Sequence, residues 1–212
     1  MKPLKIHIVC ILLLIHLLPH SWLANAQTSE ANKEKPISFE MCFAKTNIFG
    51  NTFHGMSGHY IYFLSRKIGT GLSLFTCQAP IDRNFGYAIA NPQLLYNQYG
   101  WLNQFLLIKS NFLKIKFNFT NGLLQIRLLD DSQRNYNGQL IIQQNFERNF
   151  YYFLSPGMDL SIKLFGPLHF TAGINYRFLF GKSHFSSHKE FEGTGINFGV
   201  TMMRWKNAMV IQ

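Results

Sequence analysis

One segment near the end of the chain carries residues that could perform nucleophilic chemistry. His184 and Ser186 are separated by one residue, so an extended backbone would place the imidazole and the hydroxyl on the same face. A histidine beside a serine can act as a general base for a nucleophile, and a carboxylate can orient the histidine. The candidate catalytic residues are therefore Ser186 as nucleophile, His184 as base, and Glu190 or Glu192 as the orienting group.

The same segment has two other interpretations. Gly181-Lys182 and the residues after Ser186, Ser187-His188-Lys189, are typical of a polar surface loop. A metal site is an alternative, because His184 and His188 are four residues apart and the nearby glutamates could add oxygen ligands. No helical pattern aligns the two histidines, so we favour a solvated loop. We expect no metal, no cofactor and no enzymatic activity.

The elements around this segment alternate apolar and polar residues. Apolar residues occupy every second position in 158–164, and again in 170–178 after a short Gly-Pro break. A period of two indicates strands with one apolar face. The opposite face carries Asp159, Lys163 and Arg177. Charges opposite an apolar face fit a transmembrane β-barrel, in which lipid surrounds the outside and the lumen is polar.

Two lysines on one face of another alternating segment support the same interpretation. Lys114 and Lys116 alternate with Leu113, Ile115 and Phe117, and unpaired charges are costly in a dry core. In a narrow barrel such charges pair with one another and plug the lumen, whereas an open ion path is the alternative. We assign to the lumen the polar residues Glu40, Lys114, Lys116, Asp159, Lys163 and Arg177.

The chain begins with the features of a secretion signal. Lys2 and Lys5 precede an apolar run at 6–18, and Ala-Asn-Ala at 24–26 forms a cleavage site. No later stretch is apolar for long enough to be a transmembrane helix. The predicted organisation is a cleaved signal peptide (1–26), a short periplasmic tail (27–36), the β-barrel (37–205) and a C-terminal extension (206–212).

The composition suits a chain that contacts both lipid and water. Of the 212 residues, 47% are hydrophobic, 16% aromatic and only 14% charged, whereas a soluble domain carries about a quarter charged residues. The formal net charge is +10, which suggests nucleic acid, anionic lipid headgroups or simply solvated loops. Export and the scattered basic residues argue against nucleic acid, which leaves lipid headgroups and solvated loops as the two interpretations.

Two cysteines, Cys42 and Cys77, follow the predicted leader. An exported pair of this kind could form a disulfide. Both fall near the ends of predicted strands, and we expect them to remain unpaired.

The spacing of turns predicts an even number of strands. Short turns at Arg66-Lys67, Ser110-Asn111 and Gly166-Pro167 alternate with long connections, which assigns the short turns to the periplasm. Eight strands result if 121–151 belongs to a long loop, and ten if these residues form an extra hairpin, with Asn121-Gly122 as a possible turn. The predicted outer loops are 49–56, 78–98, 121–150 and 181–193. The predicted interfacial aromatic residues are Tyr60, Tyr62, Trp101, Tyr151, Tyr152, Tyr176, Phe180 and Trp205.

The pattern at 155–180 resembles the small outer-membrane β-barrel proteins of Gram-negative bacteria. It has a Pro-Gly strand start at Pro156-Gly157, the sequence AGINYRF at 172–178, and a final strand with alternating glycines. The resemblance implies an outer-membrane location, with lipid, lipopolysaccharide and the barrel assembly machinery as partners, and a monomer. Such barrels usually end on an aromatic residue, but seven residues follow Trp205.

The His184-x-Ser186 pair is similar to that of the outer-membrane lipid A deacylases, which are also eight-stranded barrels. That resemblance implies Ser186 as nucleophile and His184 as base. We nevertheless expect a structural or surface-binding barrel. The alternatives are a deacylase-like esterase, a narrow channel, and a soluble lipocalin-like barrel whose apolar faces point inward.

Overall fold

The computed structural model describes residues 37–130, 144–181 and 188–204. The predicted signal peptide, periplasmic tail and C-terminal extension lie outside the described residues, as do Trp205, His184 and Ser186. Among the residues described, no helix has the length and apolar character needed to cross a membrane.

The described chain is almost entirely β-strand. A short 3₁₀ helix, His188–Phe191, precedes the last strand. The strands are β1 (Ile37–Ile48), β2 (Asn51–Phe63), β3 (Ile68–Pro80), β4 (Pro92–Lys109), β5 (Leu113–Asp130), β6 (Gln144–Phe165), β7 (Leu168–Phe180) and β8 (Gly193–Arg204).

The strands close into one antiparallel up-and-down barrel. Each strand pairs with the next along the chain, and β1 pairs with β8. The prediction of eight strands is confirmed, and the alternative of ten is wrong. Asn121-Gly122 is not a hairpin turn but lies within β5, paired with β4 on one side and β6 on the other. Gly122 allows β4 and β5 to approach closely at this point, because a Cβ there would overlap the carbonyl oxygen of Tyr99.

The period-two pattern sorts the side chains to the two faces of the barrel wall. Large apolar side chains on all eight strands are more than a third exposed on the outer face, as Phe43, Leu72 and Phe198 illustrate. Polar, small and some apolar side chains alternate with them and fill the interior. The inverted arrangement required by a lipocalin-like barrel is not the one observed.

The strands at the long-loop end extend further than predicted. The predicted loop 49–56 is a tight turn at Phe49-Gly50, since β2 already begins at Asn51. The predicted loop 78–98 shrinks to 81–91. Of 121–150, only 131–143 lies outside β5 and β6, and those residues are not described. The extensions are held by interior packing, because Phe53, Leu94 and Tyr96 are fully buried there.

Each short turn accepts a backbone hydrogen bond from the strand that follows its own hairpin in the chain. Leu106 N donates to Lys67 O at 2.7 Å, Lys163 N to Phe112 O at 2.8 Å, and Met203 N to Pro167 O at 3.0 Å. At the turn end, backbone hydrogen bonds therefore connect each hairpin to the strand that follows it.

The prediction that Tyr151 is an interfacial aromatic residue is wrong. Tyr151 is 1% exposed and lies in the barrel interior, whereas its neighbour Tyr152 faces outward. Adjacent residues of a strand point to opposite faces, so only one of the two could belong to an outer girdle. Tyr60, Tyr62, Trp101, Tyr176 and Phe180 are exposed on the outside.

The close approach of β2 and β3 yields a first prediction. A Cβ at Gly71 would overlap the carbonyl oxygen of Tyr60 and lie 2.9 Å from Ile61 Cα. Gly71→Ala should lower the free energy of unfolding by about 1–3 kcal/mol, as overpacking does. Gly58→Ala is the matched control, since only Glu40 O comes near, at 3.9 Å. Urea unfolding followed by gel mobility measures both, and equal stabilities of the two variants would contradict the packing argument.

Candidate functional site

The barrel interior consists of two apolar clusters with polar side chains between them. The turn-end cluster closes the end with the short turns and contains Ile61, Phe63, Leu102, Leu106 and Met203. The loop-end cluster fills the other end and contains Ile48, Phe53, Phe75, Cys77, Ile81, Ile89, Leu94, Tyr96, Leu124, Ile126, Leu128, Tyr151, Phe153, Leu179 and Phe191.

A buried ion pair spans the lumen between the two clusters. Lys116 Nζ donates to Glu40 Oε2 at 2.9 Å and lies 3.8 Å from Asp159 Oδ2. Lys116 is on β5 and Glu40 on β1, which are opposite walls of an eight-stranded barrel. The side chains of Lys116, Glu40 and Asp159 are 0%, 1% and 6% exposed. The charges are thus paired across a solvent-excluded interior.

Amides complete the coordination of Asp159. Asn118 Nδ2 donates to Asp159 Oδ2, and Asn197 Nδ2 lies 3.5 Å from Asp159 Oδ1. Gln104 Nε2 donates in turn to Asn118 Oδ1 at 2.9 Å. A glycine makes the room, because a Cβ at Gly173 would overlap Asp159 Oδ1. The result is a hydrogen-bonded layer rather than an open passage.

Two further polar groups lie on either side of this layer. Towards the turn end, Lys114 Nζ is 3.0 Å from His169 Nε2. Towards the loop end, Arg177 Nη2 donates to Thr46 Oγ1 and to Phe191 O, both at 3.1 Å. The Arg177 guanidinium also lies 4.7 Å from the centre of the Tyr96 ring, so this charge is enclosed by the loop-end cluster.

The structure places the sequence-predicted polar residues in different surroundings. Glu40, Lys116 and Asp159 come together, whereas Lys114 and Arg177 are buried in separate networks. Lys163 is exposed at the turn end, next to a register shift between Lys163 and Phe165. Sequence analysis missed the interior partners Gln104 and His169, which strand parity could have assigned inward. It also missed Tyr96, because that residue fell in the predicted loop 78–98.

The long-loop end is covered by a cap of aromatic and charged residues. Phe49 contacts Phe191 edge-on at 4.5 Å between ring centres, and Arg83 lies 5.4 Å above the Phe49 ring. Arg83 Nη1 also pairs with Glu190 Oε1 at 3.1 Å. The candidate orienting carboxylate Glu190 is thus an ion-pair partner of the cap. Glu192 Oε1 accepts from Leu179 N at 3.1 Å.

The β3–β4 connection adds a second contact to this cap. Tyr87 Oη donates to Glu147 Oε2 at 2.8 Å. That hydrogen bond, followed by desolvation and the glutamate charge, raises the pKa of Tyr87 above its usual value. Beside it, an open polar depression of about 540 Å³ is lined by residues of the same connection, including Ile81, Asp82 and Asn84.

Of the cysteines, the two in the described part of the chain, Cys42 and Cys77, are both buried and both free. Cys42 on β1 pairs in register with Ser57, and Cys77 on β3 pairs with Gly55, so β2 separates them. Two strand spacings amount to about 10 Å, which exceeds the limit of about 7 Å for a disulfide. Within the described ranges, no three His, Cys, Asp or Glu side chains form a group that could hold a metal ion.

Removal of the central lysine should be strongly destabilising. Lys116→Met leaves Glu40 and Asp159 buried without their cation, so we expect a loss of about 3–5 kcal/mol. Lys163→Met removes an exposed lysine and should change stability by less than about 0.5 kcal/mol. The double variant Lys116→Met, Glu40→Gln should recover part of the loss. Urea titrations provide the comparison, and a Lys116→Met variant as stable as Lys163→Met would contradict the buried pairing.

Comparison with known proteins rests on structure. No protein-family model and no curated protein sequence matches the chain. Neisserial surface protein A (NspA) is 12% identical, over 79% of this chain and 96% of that chain, with a TM-score of 0.51. Ail, the attachment invasion locus protein of Yersinia pestis, is 12% identical, over 82% and 99%, with a TM-score of 0.49. Outer membrane protein OprG from Pseudomonas aeruginosa is 13% identical, over 82% and 97%, with a TM-score of 0.46.

At these identities the likeness concerns the fold alone. NspA is one of the small outer-membrane barrel proteins, and its fold matches the closed eight-stranded barrel described above. The resemblance predicted from the sequence is confirmed at that level. The chain has the fold of the small outer-membrane β-barrel proteins.

Proposed function

We propose that this protein is a monomeric, outer-membrane β-barrel with a structural or surface-binding role. The observation that carries the proposal is the apolar outer face. Among the described residues, 29 large hydrophobic side chains are at least 36% exposed, and they occur on all eight strands. A soluble monomer rarely exposes apolar patches beyond a few hundred Å², so a surface of this kind requires lipid.

The interior supports a role that does not depend on transport. The loop-end and turn-end clusters fill both ends of the lumen with apolar side chains, and the Lys116–Glu40 pair crosses the space between them. Eight-stranded barrels are narrow enough for side chains to fill them. Function is therefore assigned to the outside of the barrel, and above all to the capped long-loop end.

The predicted leader and the closed sheet support the location and the oligomeric state. A signal peptide would export the chain, and the barrel assembly machinery would insert it beside lipopolysaccharide. Closure of the β1–β8 ladder leaves no free strand edge, and free edges are what drive association between sheets. A monomer held by lipid is the simplest state consistent with both features.

Gel mobility tests the membrane-barrel assignment. The unboiled protein from outer-membrane fractions should migrate differently in SDS from the boiled protein, because the closed sheet stays compact until heated. Detergent, but not high salt, should extract it, since burial of the apolar face in lipid is not screened by ions. A urea-unfolded sample provides the fully denatured reference. Recovery in the soluble periplasm without any mobility shift would contradict the proposal.

Planar-bilayer recording tests the filled lumen. The folded protein should give no conductance steps above a detergent blank, because apolar clusters occupy both ends of the interior. A wide porin reconstituted in the same bilayer shows that insertion would have been detected. Regular steps from the folded protein would favour the narrow-channel alternative instead.

A further inference from the structure

The charged side chains are distributed unevenly between the two ends of the barrel. Arg66 and Lys67 lie in the β2–β3 turn, Lys109 at the end of β4 and Lys163 near the end of β6, and all four are exposed. They form an arc along the turn end, with the buried Lys114 just inside it. We refer to Arg66, Lys67, Lys109 and Lys163 as the cationic arc.

No carboxylate of the described chain lies on this rim. The exposed or half-buried ones are at the opposite end, in the β3–β4 connection, at the start of β6 and in or after the 3₁₀ helix, while Glu40 and Asp159 are enclosed in the lumen. The long-loop end has basic residues as well, but acidic ones accompany them, as Arg83 and Glu190 show. The charged side chains on the described part of the turn-end rim are therefore all basic.

Like charges crowd together within the arc. Arg66 is close enough to Lys109 to repel its charge, and Lys109 and Lys163 both act on Lys114. An anion that binds among these basic side chains would reduce their mutual repulsion. The arrangement points to an anionic partner at this end.

Exposed phenylalanines in the same turns indicate where that anion comes from. Phe165 and Phe112 are 71% and 64% exposed, the highest values among the large hydrophobic residues of the described chain. Phe112 follows Lys109 in the β4–β5 turn, and Phe165 follows Lys163 at the end of β6. Apolar rings beside long cationic side chains match a bilayer interface, where the rings meet acyl chains and the cations reach phosphates.

We propose that the cationic arc binds the phosphate groups of anionic phospholipids in the inner leaflet of the outer membrane. This inference rests on the proposed membrane location and on the rule that short turns of such barrels face the periplasm. Lipid binding at this end would fix the depth of the barrel in the bilayer and enrich anionic phospholipid around it. The long-loop end, with its mixed charges, would lack this preference.

The test uses a single tryptophan as a local reporter. In the full chain with Trp22, Trp101 and Trp205 changed to Phe, Phe112→Trp places the fluorophore in the arc. The protein is folded into phosphatidylcholine vesicles containing about one third phosphatidylglycerol, with bromine carried by one lipid or the other. Each basic side chain near a membrane surface contributes about fivefold to binding. Bromophosphatidylglycerol should therefore occupy the site at least about fivefold more strongly than bromophosphatidylcholine.

Two charge-matched triple variants locate the effect. Replacing Lys67, Lys109 and Lys163 by Gln should reduce the preference to about onefold, and about 1 M salt, with a Debye length near 3 Å, should do the same. The control replaces three exposed basic residues of the other half of the barrel, Lys45, Arg148 and Lys189, by Gln and should keep the preference.

Three results would overturn the inference. Equal quenching by the two lipids in the parent protein would show that the arc has no anion preference. If both triple variants lost the preference for phosphatidylglycerol equally, the preference would come from the net charge of the protein and not from a local site. Stronger displacement of phosphatidylglycerol by lipid A at matched phosphate would reject the phospholipid assignment. A protein that shows no gel-mobility shift in any vesicle contradicts the proposed function instead, which separates the two failures.

Discussion

Closure of the β1–β8 ladder is the constraint on which the rest of the structure depends. Once the eighth strand pairs with the first, every strand has two neighbours and the sheet has no edge. Closure with eight strands also fixes a narrow interior, which side chains must fill. The polar side chains on the inner face then have to form hydrogen bonds and ion pairs with one another, because too little room is left for bulk water.

The ion pair across the lumen shows how that demand is met. Lys116 reaches from β5 to Glu40 on β1, and Asp159 on β6 faces the same ammonium. A buried pair adds little net stability compared with apolar residues of equal size, yet the loss of one partner is costly. A register slip by one residue would move Lys116 to the apolar outer face. The pair therefore penalises incorrect strand pairing more than it stabilises the correct one.

Alternation made the fold predictable, and long-range pairing made the details unpredictable. The hairpin of β6 and β7, the short turns and the closed eight-stranded barrel follow from residues such as Met158, Leu160 and Phe170 at every second position. Asn121-Gly122 was misinterpreted as a turn because close strand approach and hairpin formation select the same residues. Which charges meet depends on the stagger between distant strands. Sequence analysis could therefore assign Glu40 and Lys116 to the lumen, but not to each other.

For a chain exported as proposed, the two enclosed thiols would impose an order of events, because they would meet an oxidising compartment before the sheet has formed. Cys42 and Cys77 lie on either side of β2, too far apart to be bridged once the sheet has formed. In the unfolded chain nothing holds them apart, and a crosslink made at that stage would prevent β1 and β3 from taking their places. Biogenesis of the exported chain would thus be a competition between sheet closure and thiol oxidation. Completion of the barrel would end that competition by burying both sulfurs away from oxidants.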